Sequence, residues 1–186
     1  MQEGSDEFSY VEKLFKQAKR GRVIDSIERV ENKSQHDAYS LMKKNVARDL
    51  GPDFDEARMV RMLFHGTSAQ ATHDIVHGVA AGYEPNAAGS STGAIWGDGT
   101  YFARDASYSH NYAGQLPSGK RQMLLNEVLV GLSTIGKKGT KLYPKVPGAK
   151  NSSTRYHSLV NNVSDPTIFV VAHSTAAYPA FLITYH

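Results

Sequence analysis

The sequence contains no cysteine. That absence excludes disulfides, thiolate metal sites and a cysteine nucleophile. It leaves the redox compartment open, because a reducing environment permits cysteines without requiring them. Long apolar runs are also missing, and no stretch approaches the ~20 residues that a membrane-spanning helix needs. The opening residues, Met1-Gln2-Glu3-Gly4-Ser5-Asp6-Glu7, are acidic and polar, unlike a secretory signal. A cytoplasmic or nuclear setting, with no membrane partner, is the expectation. Strong charge of one sign is absent too: 21 Lys and Arg against 18 Asp and Glu leave +3, with a pI near 9.0. Such mild basicity eases the approach of an anionic ligand. It forms no long basic stripe, so a nucleic-acid partner has no support. Lys13, Lys16, Lys19, Arg20 and Arg22 read as the wet face of a helix.

What is present fits one domain over residues 1–186, monomeric, with residues 1–7 as a flexible tail. The 186 residues suffice for one substantial core and are too few for two ordinary ones. No internal repeat or extended low-complexity segment interrupts it. Val11, Leu14, Phe15 and Ala18 recur at helical spacing from Phe8 to Lys19, and Gly21 ends that helix. Val23 to Val30 reads as a strand. Ser34, with Asp37 three residues on, resembles a capping box opening a helix through Tyr39, Met42 and Val46; Leu50-Gly51-Pro52 stops it. Met59 to Phe64 reads as a short buried strand, and Ala69 to His77 as a short helix. About residues 79–99 read as a long surface loop, a length that usually signals function or disorder. Thr100 to Ala103 is a short strand, and Asp105 caps a helix from Ala106 to about Tyr112. A long strand is expected from Arg121 to Ile135, a second long connection over 136–155, and last strands at Ile168 to Ala172 and Phe181 to Tyr185. Strands with interspersed short helices, lacking regular βα alternation, predict an α+β fold with a mainly antiparallel sheet.

Three patterns resemble catalytic motifs without their context. Gly89-Ser90-Ser91-Thr92-Gly93 matches a nucleophile elbow but lies in a loop rather than between a strand and a helix. His73 and His77 stand one helical turn apart, as zinc-protease ligands do, but no third ligand accompanies them, and no metal is expected. Gly97-Asp98-Gly99 is too short for a dinucleotide fingerprint, so any NAD site here is not a Rossmann site.

Two further segments carry more. In Leu63-Phe64-His65-Gly66-Thr67, a strand end presents an imidazole, and the glycine lets backbone approach a ligand closely. In Gly97-Asp98-Gly99-Thr100-Tyr101-Phe102-Ala103, a glycine turn leads into a strand; the following helix sets Tyr108 and Tyr112 four apart, around Ser109. Aromatic faces flanked by hydroxyls suit a flat, amide-bearing ring.

These segments, with Ile27-Glu28-Arg29-Val30, Asp165-Pro166-Thr167-Ile168-Phe169-Val170-Val171 and Tyr178-Pro179-Ala180-Phe181-Leu182-Ile183-Thr184, resemble the catalytic domain of the poly(ADP-ribose) polymerase family, and its mono-ADP-ribosylating members in particular. The resemblance is ordered and covers most of the chain. It implies the ADP-ribosyltransferase fold, a split and mainly antiparallel sheet with short flanking helices. It implies NAD as co-substrate and transfer of one ADP-ribose to an acceptor, with protein side chains as the expected partners. His65 would bind a hydroxyl of the adenine-side ribose. The Gly66 backbone and the Ser109 hydroxyl would hold the nicotinamide carboxamide. Tyr112 would stack on the nicotinamide ring, and Tyr101 would pack on the nicotinamide-ribose side. Thr67, Trp96, Phe102, Ala103 and Tyr108 complete the implied NAD site, and the loop from about Tyr83 to Trp96 resembles the donor loop that closes over NAD. Ile168 stands at the third position of the family's His-Tyr-Glu triad, where polymer-forming members have Glu. Isoleucine cannot polarise an attacking hydroxyl, so the resemblance implies single transfer rather than chain growth. Glu127, on the long strand, is the candidate substitute, and its sheet position reads as structural. A catalytically inactive NAD- or ADP-ribose-binding module, a protein-interaction module, and an NAD glycohydrolase are the alternatives on the same fold.

Overall fold

Every second residue of Ala177–Tyr185 is buried, the period-two pattern of a strand with one face on a core. That strand is β8 of an eight-stranded sheet, seen in a computed structural model that describes residues 4–18, 21–78, 82–83 and 94–186. The others are β1 (Ile24–Arg29), β2 (Val60–His65), β3 (Thr100–Ala103), β4 (Arg121–Leu129), β5 (Ser133–Ile135), β6 (Ser158–Val160) and β7 (Ile168–Val171). Their spatial order is β1-β8-β4-β2-β3-β7-β6-β5. Every pairing is antiparallel except β5 with β6. The α+β architecture and the mainly antiparallel sheet are as expected from the sequence.

The sheet is split at one seam. β2 and β4 pair over six positions, whereas β2 and β3 share the single pair Phe64↔Ala103. Past that pair the strands diverge, and the groups at the seam are those of the candidate site. Packing on the two faces holds the halves. On one face Phe8, Val11 and Phe15 of α1 (Asp6–Ala18) meet Phe64, Leu125 and Ile183. On the other, Leu63, Phe102, Leu124 and Phe169 form a second cluster. Central strand β4 is buried on both faces along residues 123–126 and again at Val128 and Leu129. Helix α2 (Lys33–Leu50) packs Tyr39, Val46 and Leu50 against Met59 and Leu129 in a third.

Several boundaries differ from expectation for identifiable reasons. Helix α1 begins at Asp6, two residues before the apolar spacing sets in, and the Phe8 amide donates to the Ser5 hydroxyl at 3.2 Å. The cap of α2 is Asn32, not Ser34: its Oδ1 accepts from the Gln35 amide at 3.2 Å, while its Nδ2 donates to the Gly78 carbonyl at 3.0 Å. One side chain thereby starts one helix and anchors the end of another, α4 (Ala69–His77). A single turn, α3 (Glu56–Met59), precedes β2, where the reading from Met59 had only strand. The long strand expected over 121–135 breaks after Leu129; the chain turns at Gly131 and re-enters the sheet as β5 beside β6. β6 escaped the sequence reading because three residues carry too little periodicity to register. Asp105 occupies the N-cap position of α5 (Ala106–Ser109) without making a capping hydrogen bond, and His110–Tyr112 continues as a 3₁₀ turn.

Among the described residues, no helix is long and apolar enough to cross a membrane. The serine-elbow pattern at 89–93, most of the expected donor loop, and Lys19 and Arg20 of the basic cluster lie outside the described residues.

Candidate active site

His65 is the last residue of β2, at the seam. Its Nδ1 lies 2.8 Å from the Tyr101 carbonyl oxygen. A carbonyl only accepts, so the ring proton sits on Nδ1 and a lone pair remains on Nε2. Burial pushes the imidazole pKa down, outweighing the opposing effect of that hydrogen bond, and the ring is neutral near pH 7. Phe102 and Tyr83 pack against it, each with ring centroids 5.4 Å away, and the Tyr83 hydroxyl is anchored on the buried Asn126 amide oxygen. Phe102 and Ala103, both expected at the NAD site, are each 1% exposed. Phe102 buttresses His65 from behind, and Ala103 pairs in the sheet with both Phe64 and Ile168.

Gly66 follows. A Cβ there would stand 1.9 Å from the Ser109 carbonyl oxygen, so only glycine lets β2 run this close to α5. Thr67 extends the contact by accepting the Gly114 amide at 2.7 Å on its carbonyl. Ser109, 3% exposed, donates its hydroxyl to the Phe64 carbonyl at 3.1 Å, and its lone pairs remain available as acceptors. On the same short helical segment the Tyr108 and Tyr112 rings lie 5.5 Å apart, tilted by 49°, with hydroxyls 3.5 Å apart. Burial and the neighbouring Tyr112 raise the Tyr108 pKa, so the Tyr108 phenol stays protonated near neutrality.

The glycine turn before β3 has a distinct task. The Tyr101 hydroxyl donates to the Gly97 carbonyl at 2.7 Å and accepts the Trp96 amide at 3.1 Å. It therefore fastens the turn and leaves the ring as the accessible part. Gly99, at φ +148°, completes the turn where a Cβ would meet the Val171 carbonyl oxygen at 2.5 Å.

Tyr101 pairs with Val170, and Ala103 with Ile168. Side chains of paired residues share a face, so Tyr101 and Ile168 stand on the same face of adjacent strands, two residues out of register. Ile168 is 5% exposed, and its amide, with that of Thr167, donates to the Asn161 side-chain oxygen at 3.0 Å. Asn161 thus sets the start of β7, a role that the sequence reading missed and that nothing in its local pattern announces. Trp96, Tyr108, Asn111, Asn161, Thr167 and Ile168 line a cavity of about 580 Å³.

Glu127 does not belong to this constellation. It lies on β4, and β2 and β3 separate that strand from β7. Its carboxylate accepts the Tyr39 hydroxyl at 2.8 Å and faces Lys43 at 3.4 Å. His73 and His77 are exposed, with rings 4.6 Å apart. Among the described residues, no group of three or more His, Asp or Glu side chains is placed to hold a metal.

Comparison with known proteins agrees with this geometry. Residues 5–186 match the poly(ADP-ribose) polymerase catalytic domain family. The chain is 35% identical to protein mono-ADP-ribosyltransferase PARP12 of Mus musculus, over 97% of this chain and 24% of the relative. It is 31% identical to protein mono-ADP-ribosyltransferase PARP14 of Homo sapiens, over 96% of this chain and 10% of the relative. With PARP11 of Mus musculus the identity is 28%, over 100% of this chain and 59% of the relative. The chain thus spans about a quarter of PARP12. With a split sheet, a histidine and tyrosine joined at its seam, and a family match from residue 5 to residue 186, the chain belongs to the poly(ADP-ribose) polymerase catalytic domain family.

Proposed function

We propose that this domain is a mono-ADP-ribosyltransferase that moves one ADP-ribose from NAD to a protein side chain and releases nicotinamide. The observation that carries this reading is a neutral His65 tied to the Tyr101 backbone, with isoleucine rather than a carboxylate on the Tyr101 face of β7. The names of PARP12 and PARP14, protein mono-ADP-ribosyltransferases, support it.

The residues present suit NAD. The Nε2 lone pair of His65 accepts a hydroxyl of the adenine-side ribose. Gly66, with no side chain, leaves its backbone open to the nicotinamide carboxamide, and the lone pairs of Ser109 Oγ accept from the amide NH₂. Tyr112 and Tyr108 offer ring faces to the flat heterocycle. Tyr101, its hydroxyl already engaged by the turn, packs on the ribose with its ring. Trp96 closes the outer side.

NAD would supply a glycosidic bond: as it breaks, nicotinamide would leave with the electron pair and the acceptor nucleophile would join the ribose carbon, a carboxylate without losing a proton and a neutral hydroxyl by giving its proton to water. The chain contributes positioning and exclusion of water. Ile168 offers no charge to polarise a second ADP-ribose, so transfer stops at one unit. The acceptor enters through the cavity bounded by Trp96, Tyr108 and Ile168, and an acceptor carboxylate brings the negative charge that Ile168 lacks. The test is nicotinamide release by His65→Ala protein shown to be folded by circular dichroism. Release is expected to fall to the uncatalysed background; undiminished release overturns the assignment.

A further inference from the structure

A second cavity, about 530 Å³, lies between the C-terminal half of α2, the connection after residue 140, and the segment following β7. It shares no lining residue with the cavity beside Ile168. Its size falls within the range of small-molecule pockets, ~300–1,000 Å³. Met42, Val46, Leu129, Tyr143 and Ala172 form an apolar floor and walls.

The polar groups around that floor are unbalanced toward donors. The single carboxylate, Asp49, already accepts the Thr154 hydroxyl at 2.9 Å. Arg155 uses one guanidinium N–H on the Tyr143 carbonyl at 2.6 Å, and a guanidinium carries five. His157 Nδ1 accepts the Leu132 amide at 3.1 Å, which puts the ring proton on Nε2 and leaves that N–H without a partner among the described residues. Burial lowers the His157 pKa, so this donor belongs to a neutral ring. Lys141 is exposed at the rim and makes no ion pair among the described residues. Two fixed cations therefore face one carboxylate.

We infer that this cavity is a binding site for a small aromatic carboxylate: a ring system that fills the apolar floor, bearing one anionic group held by Arg155, Lys141 and the His157 N–H. An apolar body alone would leave these donors unanswered, and a cation would meet a net positive rim. The inference is independent of whether the domain turns over NAD.

The probe is 2-naphthoate, titrated calorimetrically into the whole 186-residue chain, with the neutral 2-naphthalenemethanol as control. Charge-assisted hydrogen bonds separate the two by roughly tenfold, ~1.4 kcal/mol. Lys141→Glu, a rim substitution that leaves the core untouched, is expected to weaken naphthoate about tenfold and to leave nicotinamide release unchanged. Val46→Trp fills the floor and is expected to abolish binding; its fold is checked by thermal denaturation. Equal affinity for acid and alcohol overturns the proposal. So does naphthoate binding that survives Lys141→Glu undiminished, because the ligand then lies elsewhere. Absence of binding up to millimolar naphthoate overturns it outright.

Discussion

Replacing Tyr101 by phenylalanine separates the two uses of this residue. The substitution keeps the ring on the face it shares with Ile168 and removes only the hydroxyl. That hydroxyl makes two hydrogen bonds, to the Gly97 carbonyl at 2.7 Å and from the Trp96 amide at 3.1 Å. Gly97 is buried, so its carbonyl is left unanswered; Trp96 is half-buried, and its amide can turn to water. A lost hydrogen bond costs about 1 kcal/mol and a buried unsatisfied group ~1–3 kcal/mol, giving about 2–4 kcal/mol together. At ~2–4 °C per kcal/mol for a domain of this size, Tm should fall by about 5–15 °C. The loosened turn moves Trp96 away from the proposed NAD site, so KM for NAD should rise more than kcat falls, with kcat/KM down about tenfold, ~1.4 kcal/mol. Scanning fluorimetry and nicotinamide release read both effects. An unchanged Tm with unchanged release would show that the hydroxyl does not hold the turn. An unchanged Tm with release abolished would place the hydroxyl in the chemistry itself.

Four further expectations come from the same geometry. Gly66→Ala forces a Cβ to within 1.9 Å of the Ser109 carbonyl oxygen; stability should drop by about 3 kcal/mol, and retention of wild-type Tm and NAD affinity would deny the close approach. Ile168→Glu is expected to keep transfer at a single unit, because chain growth depends on acceptor-side loops as well as on residue 168; a polymer ladder on gels would show that residue 168 alone decides chain growth. Glu127→Gln keeps an acceptor for Tyr39 and removes the charge opposite Lys43; nicotinamide release should stay within about twofold, ~0.4 kcal/mol, whereas its loss would make Glu127 the missing carboxylate. Burial lowers the pKa of both His65 and His157 below the ordinary value of ~6.5, so the unfolded chain binds more protons in that range. Their contribution to stability is then complete above that value and is lost as pH falls through the lowered folded values; a Tm that rises on acidification from neutrality would contradict the burial of these rings.

Much of the fold was legible because the signals were strong and local. The apolar spacing of α1 and the glycine-proline stop after α2 both correspond to observed elements. The buried short strands at β3 and β7 were marked by apolar runs. What escaped depended on distant partners. Asn32 was passed over as a cap because its second role, holding the end of α4, is visible only in space. The long strand seemed continuous through Ile135 because apolar content does not reveal a change of partner, and here the chain leaves β2 and joins β6.

The candidate site was legible in its residues and less so in their division of labour. Tyr101, Ser109 and His65 do converge. Phe102, next to Tyr101 in sequence, faces the core because side chains alternate along a strand, and Ala103, on the Tyr101 face, is buried in its pairing with Ile168. The bond from the Tyr101 hydroxyl back to its own turn, and the hold of Asn161 on the Ile168 amide, are contacts that no motif encodes.

The most direct test of the central claim is intact-mass spectrometry of the protein after incubation with NAD, with nicotinamide release followed in parallel. One or a few discrete ADP-ribose adducts without a polymer ladder, lost in His65→Ala, are the predicted result. Release without any adduct would instead assign NAD hydrolysis, and a folded protein that shows neither release nor adduct would contradict the transferase account.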